Sequence, residues 1–214
     1  MATIDQFVAR YPRLYHMAEG GSWPSIKRHG LLSTSALLQL FGVGDAERRR
    51  REAEWRPESV TIEHPEHGVA VIRDQRPMRP KALELVLDGM TTGEWYQLLN
   101  GKTFFWVCER DLKKFLNASL YKARPHDVLT VDTREMLRRH WDRITLAPFN
   151  TGSTLGRRRS RGPGTFQRIE DYSLGDRHSD VVELAVAHHV PDIADLTMAL
   201  EQRRGSGPPV AVPM

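Results

Sequence analysis

The 214-residue sequence predicts an α+β domain. Short apolar strands and helically spaced apolar segments are mixed along it, without the regular strand–helix–strand alternation of a doubly wound sheet. Two strands stand out. Thr103-Phe104-Phe105-Trp106-Val107 is rich in aromatic and β-branched residues, and Val181-Val182-Glu183-Leu184-Ala185-Val186-Ala187 is apolar except for one carboxylate. An ionised Glu183 in a buried strand is costly unless it is paired with a basic group or faces a cleft. Residue types alone leave both readings open. One domain over residues 1–204 is expected, followed by a Gly/Pro-rich tail at 205–214 that should be disordered.

Taken in order, Leu14-Tyr15-His16-Met17 reads as a strand ended by Gly20-Gly21. Ser22 offers a cap, Pro24 suits a first helical turn and Gly30 is a stop, so a helix of about two turns follows. A second helix begins at Ala36, and residues 45–56, with Arg48-Arg49-Arg50-Arg51, read as a solvated helix or mobile segment. Residues 59–63 and 69–72 flank His64-Pro65-Glu66-His67-Gly68, the pattern of a hairpin with a five-residue turn. Thr91 and Glu94 have capping-box spacing, which predicts a helix over 92–99 stopped by Asn100-Gly101. After the aromatic strand, Leu112, Phe115, Leu116 and Leu120 recur at helical spacing. Val128-Leu129-Thr130-Val131 is a buried strand and residues 134–140 a short helix. Residues 147–164 read as a long glycine-rich loop, of a length more often functional or mobile than structural. A last element spans 195–203.

Lys and Arg total 31 against 27 acidic residues, a net charge of +4 that leans toward anionic partners. Cys108 stands alone, which excludes an internal disulfide framework and a multi-cysteine zinc site. The amino terminus lacks the pattern of a signal peptide and no long apolar run occurs, so a cytoplasmic protein with no membrane partner is expected. There is no glycine-rich phosphate loop and no zinc-protease or serine-hydrolase motif. His64, His67, His188 and His189 make no convincing ligand set, so no metal is expected. Cys108 follows a strand and reads as a packing residue before a nucleophile. The cluster Arg157-Arg158-Arg159-Ser160-Arg161 is either a solvated surface or a phosphate-binding one.

His16 near the end of a first strand, an aromatic strand and a late strand carrying Glu183 together resemble the ADP-ribosyltransferase superfamily. Leu14-Tyr15-His16-Met17 followed by His29-Gly30-Leu31-Leu32 is similar to the start of DarT-type DNA ADP-ribosyltransferases. Phe104-Phe105-Trp106 and the Val128-Leu129-Thr130-Val131 strand fit the middle of that fold, and Glu183-Leu184-Ala185-Val186 before Val190-Pro191 and Ile193 fits its late catalytic strand. The chain also resembles an uncharacterised bacterial domain family of the same superfamily. The aromatic strand lacks the tyrosine found in many relatives.

The resemblance implies a split β-sheet core with flanking helices, NAD as co-substrate and Glu183 as the catalytic residue. It implies that His16 orients the nicotinamide-side ribose, that Tyr15 is a further cofactor-binding residue, that Phe105 or Trp106 lines the nicotinamide pocket, and that an arginine binds the pyrophosphate, with Arg73, Arg76 and Arg79 all eligible. Arg157, Arg158, Arg159, Arg161 and Phe166 would then face the acceptor, and clustered guanidinium groups beside an aromatic ring suit a nucleic acid, such as a DNA base. Degradation of NAD with water or phosphate as acceptor is a second expectation. A non-catalytic nucleic-acid-binding module built on the two arginine clusters is a third.

Overall fold

A computed structural model describes residues 3–172, 174 and 180–214. Helix α1 (Ile4–Arg10) starts on a complete capping box between Thr3 and Gln6. Strand β1 (Arg13–Glu19) leads through Gly20-Gly21 into α2 (Trp23–His29). Ser22 makes no side-chain cap there; Asp127 instead accepts the Gly21 and Trp23 N–H groups at 2.9 and 3.1 Å, supplying the acceptor from a distant strand. Gly30 then adopts φ +80°, and a Cβ at this position would lie 2.7 Å from Pro191 Cα, so glycine is required twice over.

Strand β2 (Leu31–Leu32), α3 (Thr34–Leu40) and α4 (Asp45–Ala53) follow. The arginine-rich stretch is therefore a helix, and its charge is met locally: Arg48 pairs with Asp45, and Arg50 and Arg51 with Glu47. Strands β3 (Val60–His64) and β4 (Gly68–Ile72) form the expected hairpin, but His64 pairs with Gly68, so three residues rather than five make the turn. After α5 (Pro80–Glu84), the Thr91–Glu94 capping box opens α6 (Thr92–Asn100) as its spacing predicts.

Strand β5 (Lys102–Trp106), α7 (Glu109–Leu116), β6 (His126–Asp132) and α8 (Thr133–His140) match expected elements with shifted ends. Residues 144–147, where the sequence pattern predicts no strand, form β7 (Ile144–Ala147). Strand β8 (Glu183–Ala187) starts at the carboxylate itself; β9 (His189–Val190), α9 (Ile193–Leu196) and β10 (Thr197–Arg203) complete the domain. The tail is not wholly irregular: β11 (Val210–Ala211) pairs with Glu201 and Gln202, because Val212 packs on the core and its N–H bonds the Leu200 carbonyl.

The main sheet is seven-stranded and antiparallel, in the order β11-β10-β6-β1-β5-β8-β7. Strand β1 pairs with β6 along its whole length, from Arg13 opposite Asp132 to Glu19 opposite His126. Toward β5 its register is Tyr15 opposite Trp106, and beyond that row the two strands part. This makes an α+β fold with a gap near the middle of its sheet.

Alternation along β1 assigns the two faces. Leu14 joins Phe105, Leu129, Val131, Leu184 and Val186 in the main core, under α1, α2, α8 and α9. Each fully buried leucine contributes roughly 1.5–3 kcal/mol. Tyr15 and Met17 turn to the other face and pack with Trp106, Leu112, Phe115 and Leu116 of β5 and α7. Among the described residues, no helix is long and apolar enough to cross a membrane.

Candidate functional site

Where β1 and β5 part, the chain encloses a cleft of about 560 Å³, walled by the end of β1, α2, the β3–β4 hairpin, β5 and the loop after β7. A volume of this size lies in the range of small-molecule sites. His16, Arg73, Phe105, Trp106 and Glu183 all line it.

Glu183 stands opposite both Trp106 of β5 and Ala147 of β7, flanked in sequence by apolar residues that hold it in the sheet. It is 5 % exposed. One carboxylate oxygen, Oε2, accepts the Thr151 hydroxyl at 2.7 Å and the Thr151 N–H at 3.0 Å. Among the described residues Glu183 makes no ion pair within 4.0 Å; Arg161 acts on it through its charge alone. Burial pushes its pKa up to about 7, against the pull of the two Thr151 bonds and of Arg161. Of the two readings open to a carboxylate in this strand, the geometry is that of a group facing a cleft.

His16 is tied across the gap. Its Nδ1–H donates to the Phe104 carbonyl at 2.8 Å and its ring lies 5.6 Å from that of Phe105. Burial, helped by the charge of Arg73, pushes its pKa down to about 4. The ring is therefore neutral near pH 7, with Nε2 as a hydrogen-bond acceptor.

Of the three eligible arginines, Arg73 lines the cleft. Its Nη1 donates to the Met17 carbonyl at 3.2 Å, its guanidinium lies 5.1 Å from the centre of the Tyr121 ring, and its Nη2 is buried without a partner. Arg76 and Arg79 are exposed outside the cleft, Arg79 as the N-cap of α5. Tyr15 does not line the cleft either; it borders a separate hollow with Arg13, Glu109 and Arg203.

The expected acceptor residues are dispersed. Arg161 is 3 % exposed, donates to the Ser153 and Arg159 carbonyls and stacks 4.9 Å over Phe149, so it is an internal clamp rather than part of a basic surface. Arg157, Arg158 and Arg159 are exposed, and the first and third border a separate polar cavity with Asp88 and Asp171. Phe166 packs against Trp95 and Phe104 under Lys102 Nζ, in a satellite core rather than in the cleft. Aromatic character alone could not separate a stacking platform from this packing role.

Other groups at the site carried no sequence signal. Arg56, 8 % exposed, donates to the Arg73 and Arg51 carbonyls and to Asn100 Oδ1, bracing the wall that holds Arg73. Burial lowers its pKa to about 10. Thr151 lies 32 residues before the carboxylate it binds, inside the predicted loop. Cys108 is half-buried at the start of α7, and burial pushes its thiol pKa up, away from a nucleophile's range. Among the described residues, no group of three or more His, Cys, Asp or Glu side chains is arranged to hold a metal ion.

Residues 12–197 match a family described as Family of unknown function (DUF7002). No curated protein matches the chain.

Proposed function

Since the chain belongs to the DUF7002 family, whose function is unknown, we propose from the cleft itself that the protein cleaves the nicotinamide–ribose bond of NAD and transfers ADP-ribose. The gap in its sheet is then the split core of an ADP-ribosyltransferase. One observation carries the reading: Glu183, a buried carboxylate without an ion-pair partner among the described residues, and neutral His16 line one cleft where β1 and β5 part.

The residues present suit such a substrate. Arg73, whose Nε lies 4.0 Å from Glu19 Oε2 and whose Nη2 is buried without a partner, brings positive charge to the wall of the cleft for an anionic group, and Trp106 offers aromatic surface, backed by buried Phe105. His16 offers its Nε2 to a ribose hydroxyl. Breaking the glycosidic bond builds positive charge on the ribose, and a carboxylate preorganised in a water-poor site stabilises that charge. Glu183 is the group placed to do so. The bonding pair leaves with the nicotinamide nitrogen, the acceptor atom bonds the same ribose carbon, and the acceptor's proton passes to Glu183. A base with a pKa of about 7 suits that transfer near neutral pH.

Exposed Arg157, Arg158 and Arg159, on the loop that also carries Thr151, favour a nucleic-acid acceptor, since guanidinium groups pair with phosphates. Water is the second acceptor, favoured by the packing of Arg161 and Phe166 away from the cleft. Incubation with NAD and single-stranded DNA, RNA or no polymer, followed by mass spectrometry, separates them. An ADP-ribose adduct supports transfer, and nicotinamide release without an adduct selects hydrolysis. The absence of both an adduct and released nicotinamide would overturn the proposal.

A further inference from the structure

We infer that Thr151 is the positioning residue of the cleft: it binds one oxygen of the Glu183 carboxylate with both its hydroxyl and its backbone N–H, and so reserves the other oxygen for substrate. The inference rests on the reading that Glu183 acts on a molecule bound in this cleft.

A glutamate's terminal torsion is broad and nearly two-fold, so a buried carboxylate with one loose contact can present either oxygen in many orientations. Two donors converging on Oε2, at 2.7 and 3.0 Å, remove that freedom. Thr151 is 1 % exposed, which keeps water from competing for the same oxygen. Among the described residues both hydrogen bonds to the carboxylate go to Oε2 and none to Oε1. Since Glu183 lines the cleft, that oxygen is the one left for a ligand.

The loop is built to hold this contact. Ala147, the last residue of β7, stands opposite Glu183, and its carbonyl accepts the Val182 N–H at 2.9 Å. From there the chain turns back within four residues to place Thr151 over the carboxylate. Arg161 secures the turn from both sides: it stacks on Phe149 before Thr151 and donates to the Ser153 carbonyl after it. Its own backbone is anchored, with its N–H on the Val86 carbonyl and its carbonyl accepting the Asp88 N–H, both at 2.7 Å. Both Nη groups of Arg161 are bonded to carbonyls and its Nε has no partner, so it brings positive charge near Glu183 without a hydrogen bond to either oxygen.

The test compares Thr151→Val and Thr151→Ser with the unchanged protein. The Glu183 carboxyl is titrated by infrared difference spectroscopy, with Glu183→Gln identifying its band, a measurement that needs no NAD. Steady-state nicotinamide release is measured beside it. Thr151→Val keeps the backbone bond and loses the hydroxyl bond to the ionised form, so the Glu183 titration should move up by about one pH unit. kcat should fall about tenfold with KM little changed, because the interaction acts on the reacting group rather than on substrate affinity. Thr151→Ser should restore both. If the unchanged protein releases no nicotinamide, the NAD reading fails, and the titration alone still decides whether Thr151 governs Glu183. An unmoved titration in Thr151→Val, unchanged kcat in that variant, or a Thr151→Ser protein that behaves like Thr151→Val would overturn the inference.

Discussion

His16 donates its Nδ1 proton to the Phe104 carbonyl at 2.8 Å, a side-chain bond laid across the line where β1 and β5 part. The bond settles the tautomer and turns one strand residue into a tie between two half-sheets. Its pKa of about 4 lies below the unfolded 6.5, so the folded state resists protonation, and the associated stability is lost as pH falls from 6.5 through 4. His16→Ala should lower kcat/KM for nicotinamide release about tenfold or more. The pH profile of the unchanged protein should show no limb from this histidine near 6.5. A limb there that disappears in His16→Ala would contradict the assignment.

Glu183 couples function to stability with the opposite sign. Its folded-state pKa of about 7 lies above the ordinary 4.5, so its protonated form is the favoured one in the fold. That contribution is complete below pH 4.5 and is lost as pH rises through about 7. Glu183→Gln should therefore match the unchanged protein in stability at pH 4.5 and exceed it at pH 8, by at most about 3 kcal/mol. Thermal melts across that range check it, and a Tm difference independent of pH would contradict it.

Much of this arrangement was legible in the sequence, and the remainder has physical reasons for being hidden. The Thr91–Glu94 box, the Gly30 stop and the hairpin rest on local chemistry, and each stands close to where spacing puts it. Ile144–Ala147 carries no legible strand pattern because a four-residue strand joined directly to a helical segment has too little length for its period to show. Asp127 capping α2 and Thr151 binding Glu183 are contacts between distant residues, invisible to any pattern of neighbours. Arg161 looked like its exposed neighbours by composition, and only the turn that folds it over Phe149 makes it internal.

Among the three arginines near the hairpin, Arg73 should carry the anionic contact. Arg73→Ala should raise KM for NAD about tenfold, the loss of one charge-assisted hydrogen bond. Arg76→Ala and Arg79→Ala, exposed outside the cleft, should leave KM unchanged. Equal effects from all three would show that the buried Nη2 of Arg73 is not the contact.

If a nucleic acid is the acceptor, replacement of Arg157, Arg158 and Arg159 by alanine should weaken its binding and flatten the salt dependence, by a log–log slope of roughly 2–3. Replacement of Arg48, Arg50 and Arg51 should do less, since each already pairs with an acid on its own helix. Titration of a fluorescent single strand against salt distinguishes the two clusters.

The central claim is that Glu183 performs the chemistry of this cleft. Nicotinamide release from NAD, measured for the unchanged protein and for Glu183→Gln at pH 7.5, tests it most directly. Loss of the carboxylate should reduce the rate by about a hundredfold or more while the variant stays folded. Equal rates in the two proteins, or no release from either, would contradict it.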